Sequence, residues 1–156
     1  MPTAIKALAI GDPAPDFSAA DETGKVWSLR ELKGKTVVLY FYPKDSTPGC
    51  TTEACDFRDA YASFLKKGAV VLGVSADSAK SHQNFKQKQG LPFPLLVDED
   101  KTLCRAFGVW TKKVLYGREF MGIERSTFVI GPNGKLQNVV RKVKVAGHVD
   151  SVLEAL

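Results

Sequence analysis

Two continuous apolar runs constrain the fold of this chain more than any other feature. Residues 37–42 (VVLYFY) and 69–74 (AVVLGV) are rich in β-branched and aromatic residues and carry no charge, which is typical of strands buried on both faces. Between the runs, apolar residues recur at helical spacing, and Gly68 ends the predicted helix. These positions are Ala54, Phe57, Tyr61, Phe64 and Leu65. The order strand, helix, strand predicts a parallel pair with a right-handed crossover.

The remaining pattern also alternates strands and helices. It predicts a helix capped by Ser78 and running to Gly90, a strand over 93–97, a short helix over 102–107 and a final helix over 150–156. Residues 126–130 and 136–145 flank an Asn-Gly turn and predict a β-hairpin, and residues 27–32 predict a strand end and a helical turn. We therefore expect a single α/β domain over residues 1–156. Its central mixed sheet should carry helices on both faces.

The apolar runs and the first residues of the chain bear on its cellular compartment. No apolar run approaches the ~18 residues of a membrane span, so we expect no membrane association. The first residues, MPTAIKALAIGDPAPDF, lack the apolar core and cleavage site of a secretory signal. We expect a cytoplasmic protein, with an already removed targeting peptide as the alternative.

Cysteine is sparse, and its three positions do not suit a disulfide scaffold or a metal site. Cys50 and Cys55 are separated by four residues, and both histidines lie far along the chain. A plant-type iron–sulfur pattern would require cysteine where Arg58 stands. We expect neither a metal nor a bound cofactor.

The position of Cys50 favours a reactive thiolate. Pro43 ends the first buried strand, a polar turn follows, and a helix that begins near Cys50 would place the thiol in its first turn. Unpaired backbone N–H groups stabilise an anion there. In an intact helix the Cα atoms of Cys50 and Cys55 would lie about 8.7 Å apart. A disulfide spans roughly 4.4–6.8 Å, so pairing would require local unwinding.

Peroxide chemistry would use such a pair, because a thiolate oxidised to sulfenic acid can condense with a second thiol. The alternative at this point is that both cysteines are small buried apolar residues. Two other functions also remain open. A protein thiol–disulfide oxidoreductase is one, although the C-x-x-C motif is missing. A nucleic-acid-binding module is the other, because Lys and Arg outnumber Glu between positions 105 and 144. We interpret these basic residues as a solvated face and expect no nucleic-acid partner.

Several other residues receive simple interpretations. His82 lies on a polar helix and should face solvent, and His148 lies near a helix start without a catalytic role. Trp110 and Phe120 should belong to the core or to a pocket rim. Glu53 suits the positive end of its helix and could contact Arg125.

The run PKDSTPGC, residues 43–50, resembles the peroxiredoxin pattern P-x-x-x-T/S-x-x-C. The longer run YFYPKDSTPGCTTEACDFRD is similar to the bacterioferritin-comigratory-protein, or PrxQ, group. GDPAPDF before this run, and GVSADS, FPLLVDED and ERSTFVIGPNGK after it, also resemble that family and occur in its order. The resemblance implies a thioredoxin-like fold and a thiol peroxidase acting on hydrogen peroxide and organic hydroperoxides.

The resemblance also implies site roles. Cys50 aligns with the peroxidatic cysteine, and Thr47 with the hydroxyl residue that hydrogen-bonds the peroxide. Pro43 aligns with the proline that walls the pocket. Arg125 aligns with the arginine that stabilises the thiolate and orients the peroxide, and backbone N–H groups near Gly49 would stabilise the leaving oxygen.

The resolving cysteine varies within this group. Some members use the position of Cys55, some use the next helix and some have none. Residues 78–89 contain no cysteine here, so we expect Cys55 to resolve, with Cys104 or an external thiol as the alternatives. Cys104 lies beside the apolar residues Leu103 and Phe107 and should therefore be a buried structural residue. A thioredoxin-like dithiol would then recycle a monomeric enzyme.

Overall fold

A computed structural model describes residues 7–156, so the N-terminal segment without a signal pattern lies partly outside the described residues. The helices of this region are α1 (Pro48–Lys66), α2 (Ala79–Gln89), α3 (Thr102–Ala106) and α4 (His148–Glu154). Its strands are β1 (Ser18–Ala20), β2 (Val26–Ser28), β3 (Thr36–Phe41), β4 (Ala69–Ser75), β5 (Leu95–Val97), β6 (Trp110–Leu115), β7 (Arg118–Ile123), β8 (Ser126–Ile130) and β9 (Leu136–Val140). A 3-10 turn, Arg30–Leu32, follows β2.

The central sheet has five strands in the order β5-β4-β3-β8-β9. Strand β3 pairs in parallel with β4, and β4 pairs in parallel with β5. Strand β8 lies antiparallel to both β3 and β9. This is the predicted mixed sheet, and the uncharged run of β3 is explained by its central place, where both faces are covered.

Alternate residues of β3 enter two separate hydrophobic clusters. Val38 and Tyr40 point toward a cluster that includes Cys50, Phe57 and Phe64 of α1. Val37, Leu39 and Phe41 point toward a cluster that includes Cys104 of α3 and Phe107. Because side chains alternate across a strand, the two clusters cover opposite faces of the sheet, with helices on both.

The structure corrects several predicted elements. Helix α1 begins at Pro48, which keeps Cys50 in its first turn as predicted, but Leu65 at the end of the predicted apolar stripe is 53% exposed. Strand β9 ends at Val140 and α4 begins at His148, earlier than predicted in both cases. The β1–β2 and β6–β7 hairpins were not predicted. No helix within residues 7–156 is long and apolar enough to cross a bilayer.

Candidate active site

The thiol of Cys50 lies in the first turn of α1, directly after the loop that leaves β3. Thr47 has an extended backbone at the N-cap position, and Pro48 is the first helical residue. Proline suits this position because its fixed φ is already helical and its missing N–H is not needed. Cys50 is the third residue of α1 and is almost fully buried.

Arg125 reaches this thiol from the segment between β7 and β8. Ser126 pairs with Phe41, the last residue of β3, so the register brings Arg125 to the end of the sheet where the Cys50 loop begins. Nη2 of Arg125 donates to Sγ of Cys50 at 3.3 Å. The guanidinium also donates through Nη1 to Oε1 of Glu53 at 2.7 Å. The predicted contact between Glu53 and Arg125 is therefore present.

Glu53 orients the guanidinium from inside the protein. Its side chain is fully buried, and burial raises the pKa of Glu53 to about 7 even though Arg125 opposes that rise. Burial alone would lower the pKa of Arg125, but Glu53 and Cys50 outweigh it and raise the pKa. The arginine thus stays charged between the carboxylate and the sulfur.

The backbone around Thr47 and Gly49 shapes the space beside the thiol. The Thr47 hydroxyl donates to the carbonyl of Lys44 at 2.8 Å, which leaves its lone pairs free to accept a hydrogen bond. A Cβ on Gly49 would lie 3.2 Å from Nη2 of Arg125, so glycine allows the guanidinium to approach. Pro43 is exposed at the start of the loop, and its wall role remains a prediction.

The other two cysteines lie in different surroundings, and all three thiols are free. Cys55 is half-buried in α1 and donates to Oε1 of Gln89 at 3.5 Å. Cys104 is buried on the opposite face of the sheet, where burial and then Asp98 raise the pKa of its thiol. A thiol in that environment is a poor nucleophile.

The prediction for His82 is wrong. His82 is 0% exposed, with Nδ1 at 2.7 Å from Oδ2 of Asp45 and Nε2 at 2.8 Å from the carbonyl oxygen of Leu96. The polar sequence of α2 suggested exposure because it does not reveal that buried partners satisfy both ring nitrogens. His148 is also buried, and its Nε2 lies 2.7 Å from the Thr127 hydroxyl.

The predicted rim or core residues fall on the β6–β7 hairpin. Trp110 is half-buried and packs against the α3 side of the core, whereas Phe120 is 45% exposed. Lys113 of the same hairpin is half-buried; burial and then Arg125 lower the pKa of its ammonium group. Lys113 therefore lies close enough to Arg125 for their charges to interact, which places this part of the hairpin near the site.

Comparison with known proteins agrees with this arrangement. The pattern of the AhpC/TSA family matches residues 10–139. Peroxiredoxin Bcp of Bacillus subtilis is 53% identical over 149 residues, which cover 96% of this chain and 95% of that protein.

Two solved structures extend the likeness to three dimensions. The bacterioferritin comigratory protein of Xanthomonas campestris, described for its alkyl peroxide reduction activity, superimposes with a TM-score of 0.85 at 52% identity, covering 89% of this chain and 88% of that chain. PrxQ of Xylella fastidiosa gives a TM-score of 0.90 at 42% identity, covering 96% of this chain and 95% of that chain. The expected thioredoxin-like fold and thiol peroxidase class are confirmed. The chain belongs to the AhpC/TSA family, within the Bcp/PrxQ group of peroxiredoxins.

Proposed function

We propose that this peroxiredoxin reduces hydrogen peroxide and organic hydroperoxides at Cys50, resolves the oxidised sulfur with Cys55 and is recycled by a thioredoxin-like dithiol. The alkyl peroxide reduction described for the Xanthomonas campestris protein supports the substrate class. The observation that carries the proposal is the hydrogen bond from Arg125 to the Cys50 sulfur at a helix start.

The first step is a displacement at oxygen. The Cys50 thiolate attacks one oxygen of ROOH, the O–O bond breaks, and the product RO⁻ leaves as the alcohol after taking a proton. Sulfur is oxidised to sulfenic acid and the peroxide is reduced. Arg125 stabilises the attacking sulfur and the developing charge on oxygen, while Thr47 accepts the hydrogen bond of the peroxide O–H.

The second step requires movement of α1. Cys50 and Cys55 lie five residues apart in one intact helix. Their Cα atoms are therefore too far apart for an S–S bond. Thr51 and Thr52 favour unwinding because both are weak helix formers, and the Thr52 hydroxyl donates back to the Pro48 carbonyl at 3.1 Å. The Cys55 sulfur then displaces water from the sulfenic acid, and an external dithiol reduces the disulfide.

The remaining parts of the proposal concern the setting of this cycle. Thiols supply both electrons, so the cycle as written uses no bound cofactor or metal. We propose a single-domain monomer that acts in the cytoplasm, where a dithiol reductant is maintained, without nucleic-acid or membrane partners.

Cysteine variants test the proposal directly. Cys50→Ser should abolish peroxide consumption, whereas Cys55→Ser should consume about one equivalent and then stop in the presence of thioredoxin and its reductase. Cys104→Ser, the matched control, should turn over normally. Mass spectrometry after one equivalent of peroxide should find a Cys50–Cys55 disulfide and a free Cys104. Turnover by Cys50→Ser would refute the peroxidase assignment, and normal cycling by Cys55→Ser would refute only the resolving role.

A further inference from the structure

A buried polar pair supports the loop between β3 and α1. Asp45 follows Lys44 in that loop, and its side chain is almost fully buried. Its Oδ2 contacts Nδ1 of His82 at 2.7 Å and accepts a hydrogen bond from the Ser81 hydroxyl at 2.8 Å. Its Oδ1 accepts a hydrogen bond from the Tyr42 hydroxyl. The loop is thus tied to α2 through a carboxylate whose two oxygens are both engaged.

His82 is held from both sides. Its Nε2 faces the carbonyl oxygen of Leu96 in β5, which can only accept, so this nitrogen carries a proton. Burial disfavours the charged imidazole, but the hydrogen bond and charge of Asp45 outweigh burial and raise the pKa of His82. Asp45 and His82 together with Asp77 form a group that could in principle hold a cation. Their polar atoms are instead taken up by protein hydrogen bonds, so we assign them a different role.

The contacts of this network reach Thr47 through a single peptide unit. The backbone N–H of Asp45 donates to Oδ2 of Asp77 at 2.8 Å. The carbonyl on the other side of that peptide belongs to Lys44 and accepts the Thr47 hydroxyl at 2.8 Å. Because a peptide is planar, fixing its N–H and the Asp45 side chain also fixes the direction of the Lys44 carbonyl. That carbonyl in turn decides where the Thr47 lone pairs point.

The next residue of the loop needs this support. Ser46 has a φ of +63°, in the left-handed region that non-glycine residues rarely adopt. Such a conformation persists only where the surroundings hold it. Asp45 anchors the chain on one side of Ser46, and the Thr47 hydroxyl bond closes the turn on the other.

We propose that Asp45 and His82 are positioning residues for the peroxide reaction. They hold the Lys44–Asp45 peptide so that Thr47 presents its lone pairs to the peroxide. The inference rests on the proposed role of Thr47. The anchors lie on α2, on β5, directly after β3 and in the segment after β4. None of these belongs to the helix that must unwind, so the peroxide loop keeps its shape while α1 changes.

Two reactions of the same thiol separate positioning from general damage. Oxidation by peroxide requires both the Cys50 thiolate and the Thr47 loop, whereas alkylation by iodoacetamide requires only an accessible thiolate. In single-turnover measurements, Asp45→Ala and His82→Ala should lower the second-order rate constant for peroxide by about tenfold or more. The rate constants for alkylation of Cys50 in these variants should stay within about threefold of the wild-type value.

A conservative variant distinguishes shape from charge. In Asp45→Asn, the amide NH₂ can donate to a neutral His82 and to the Ser81 hydroxyl, while the amide oxygen accepts from Tyr42. This variant should retain the peroxide rate within about threefold of wild type. If Asp45→Ala fails to fold, Asp77→Ala provides the second test. Asp77 is only half-buried but holds the same peptide, and its loss should produce the same selective fall.

The control removes a different, partly buried ion pair of the same helix. Lys86 of α2 contacts Oε1 of the buried Glu22 at 2.8 Å and does not contact the loop. Lys86→Met should lower stability without changing the peroxide rate. The inference is overturned if peroxide and alkylation rates fall together in the alanine variants, or if Asp45→Ala reacts at the wild-type rate. A Thr47→Val variant that keeps the wild-type peroxide rate would instead refute the proposed role of Thr47.

Discussion

Replacing Glu53 with glutamine removes one ionisable group from the centre of the site and changes little else. Oε1 of Glu53 accepts a hydrogen bond from Arg125, and Oε2 has no hydrogen-bond partner among residues 7–156. Glutamine keeps the shape and the acceptor oxygen but cannot ionise. Glu53→Gln therefore reports what it costs the folded protein to keep a buried carboxylate beside the arginine.

The size of the effect follows from the displaced titration. The pKa of Glu53 lies near 7 in the folded protein because burial raises it from an ordinary value of 4.5. At about 1.4 kcal/mol per unit, this displacement corresponds to about 3 kcal/mol. Between those two pH values the folded state keeps a proton that the unfolded state has lost, so the free energy of unfolding falls as pH rises through this window.

Urea denaturation at several pH values from 4 to 8 measures this dependence. Both proteins should carry Cys50→Ser, which removes the reactive thiol from the comparison. Titrations shared by the two proteins, including that of His82, cancel in the difference between their free energies of unfolding. This difference should shift in favour of the glutamine variant by about 3 kcal/mol between pH 4 and pH 8. A difference that stays constant within about 1 kcal/mol would show that folding does not raise the pKa of Glu53.

Three further substitutions probe the site and the core. Gly49→Ala places a methyl group about 3.2 Å from Nη2 of Arg125 and should slow single-turnover peroxide oxidation of Cys50 by about tenfold, while unchanged kinetics would show that the guanidinium has room to shift. Arg125→Lys removes the planar fork that binds both Glu53 and the Cys50 sulfur, so the rate constant for single-turnover peroxide oxidation should fall by about 10- to 100-fold. A loss under threefold would contradict the two-partner role. Cys104→Ala should lower the free energy of unfolding by on the order of 1 kcal/mol in urea titrations and leave thioredoxin-coupled turnover intact, whereas lost turnover would give this thiol a role in the cycle.

The central elements of the fold could be predicted because their physical signals are local. The uncharged run of β3 already indicates a strand covered on both faces, and the stripe through Ala54 and Phe57 indicates the helix packed on it. The β6–β7 hairpin gives no such signal, because it buries little of its own surface: Leu115 is 56% exposed and Tyr116 is 95% exposed. Its strands pair with each other and stay outside the central sheet, so the usual alternation of buried and exposed residues is weak.

The functional site likewise combines features with a local sequence signal and features that depend on long-range contacts. A reactive Cys50 follows from its place at a helix start, which is visible in the sequence. Arg125 is brought to the sulfur by the β3–β8 register, a long-range property that the sequence suggested only through family resemblance. For His82 the sequence-based prediction was wrong. A polar helix can bury one histidine when a carboxylate and a carbonyl oxygen contact its two ring nitrogens. Burial of a polar side chain depends on partners distant in sequence, which periodicity does not reveal.

Cys50 and Cys104 lie on opposite faces of one sheet, so the labelling rates of their thiols report two separate structural events. Labelling of the buried Cys50 can follow the opening of the first turns of α1. Labelling of Cys104 requires the α3 side of the core to separate, an event closer in free energy to global unfolding. Pulsed labelling followed by mass spectrometry would thus time the local switch and the loss of the whole fold in one sample, without the introduction of a further cysteine.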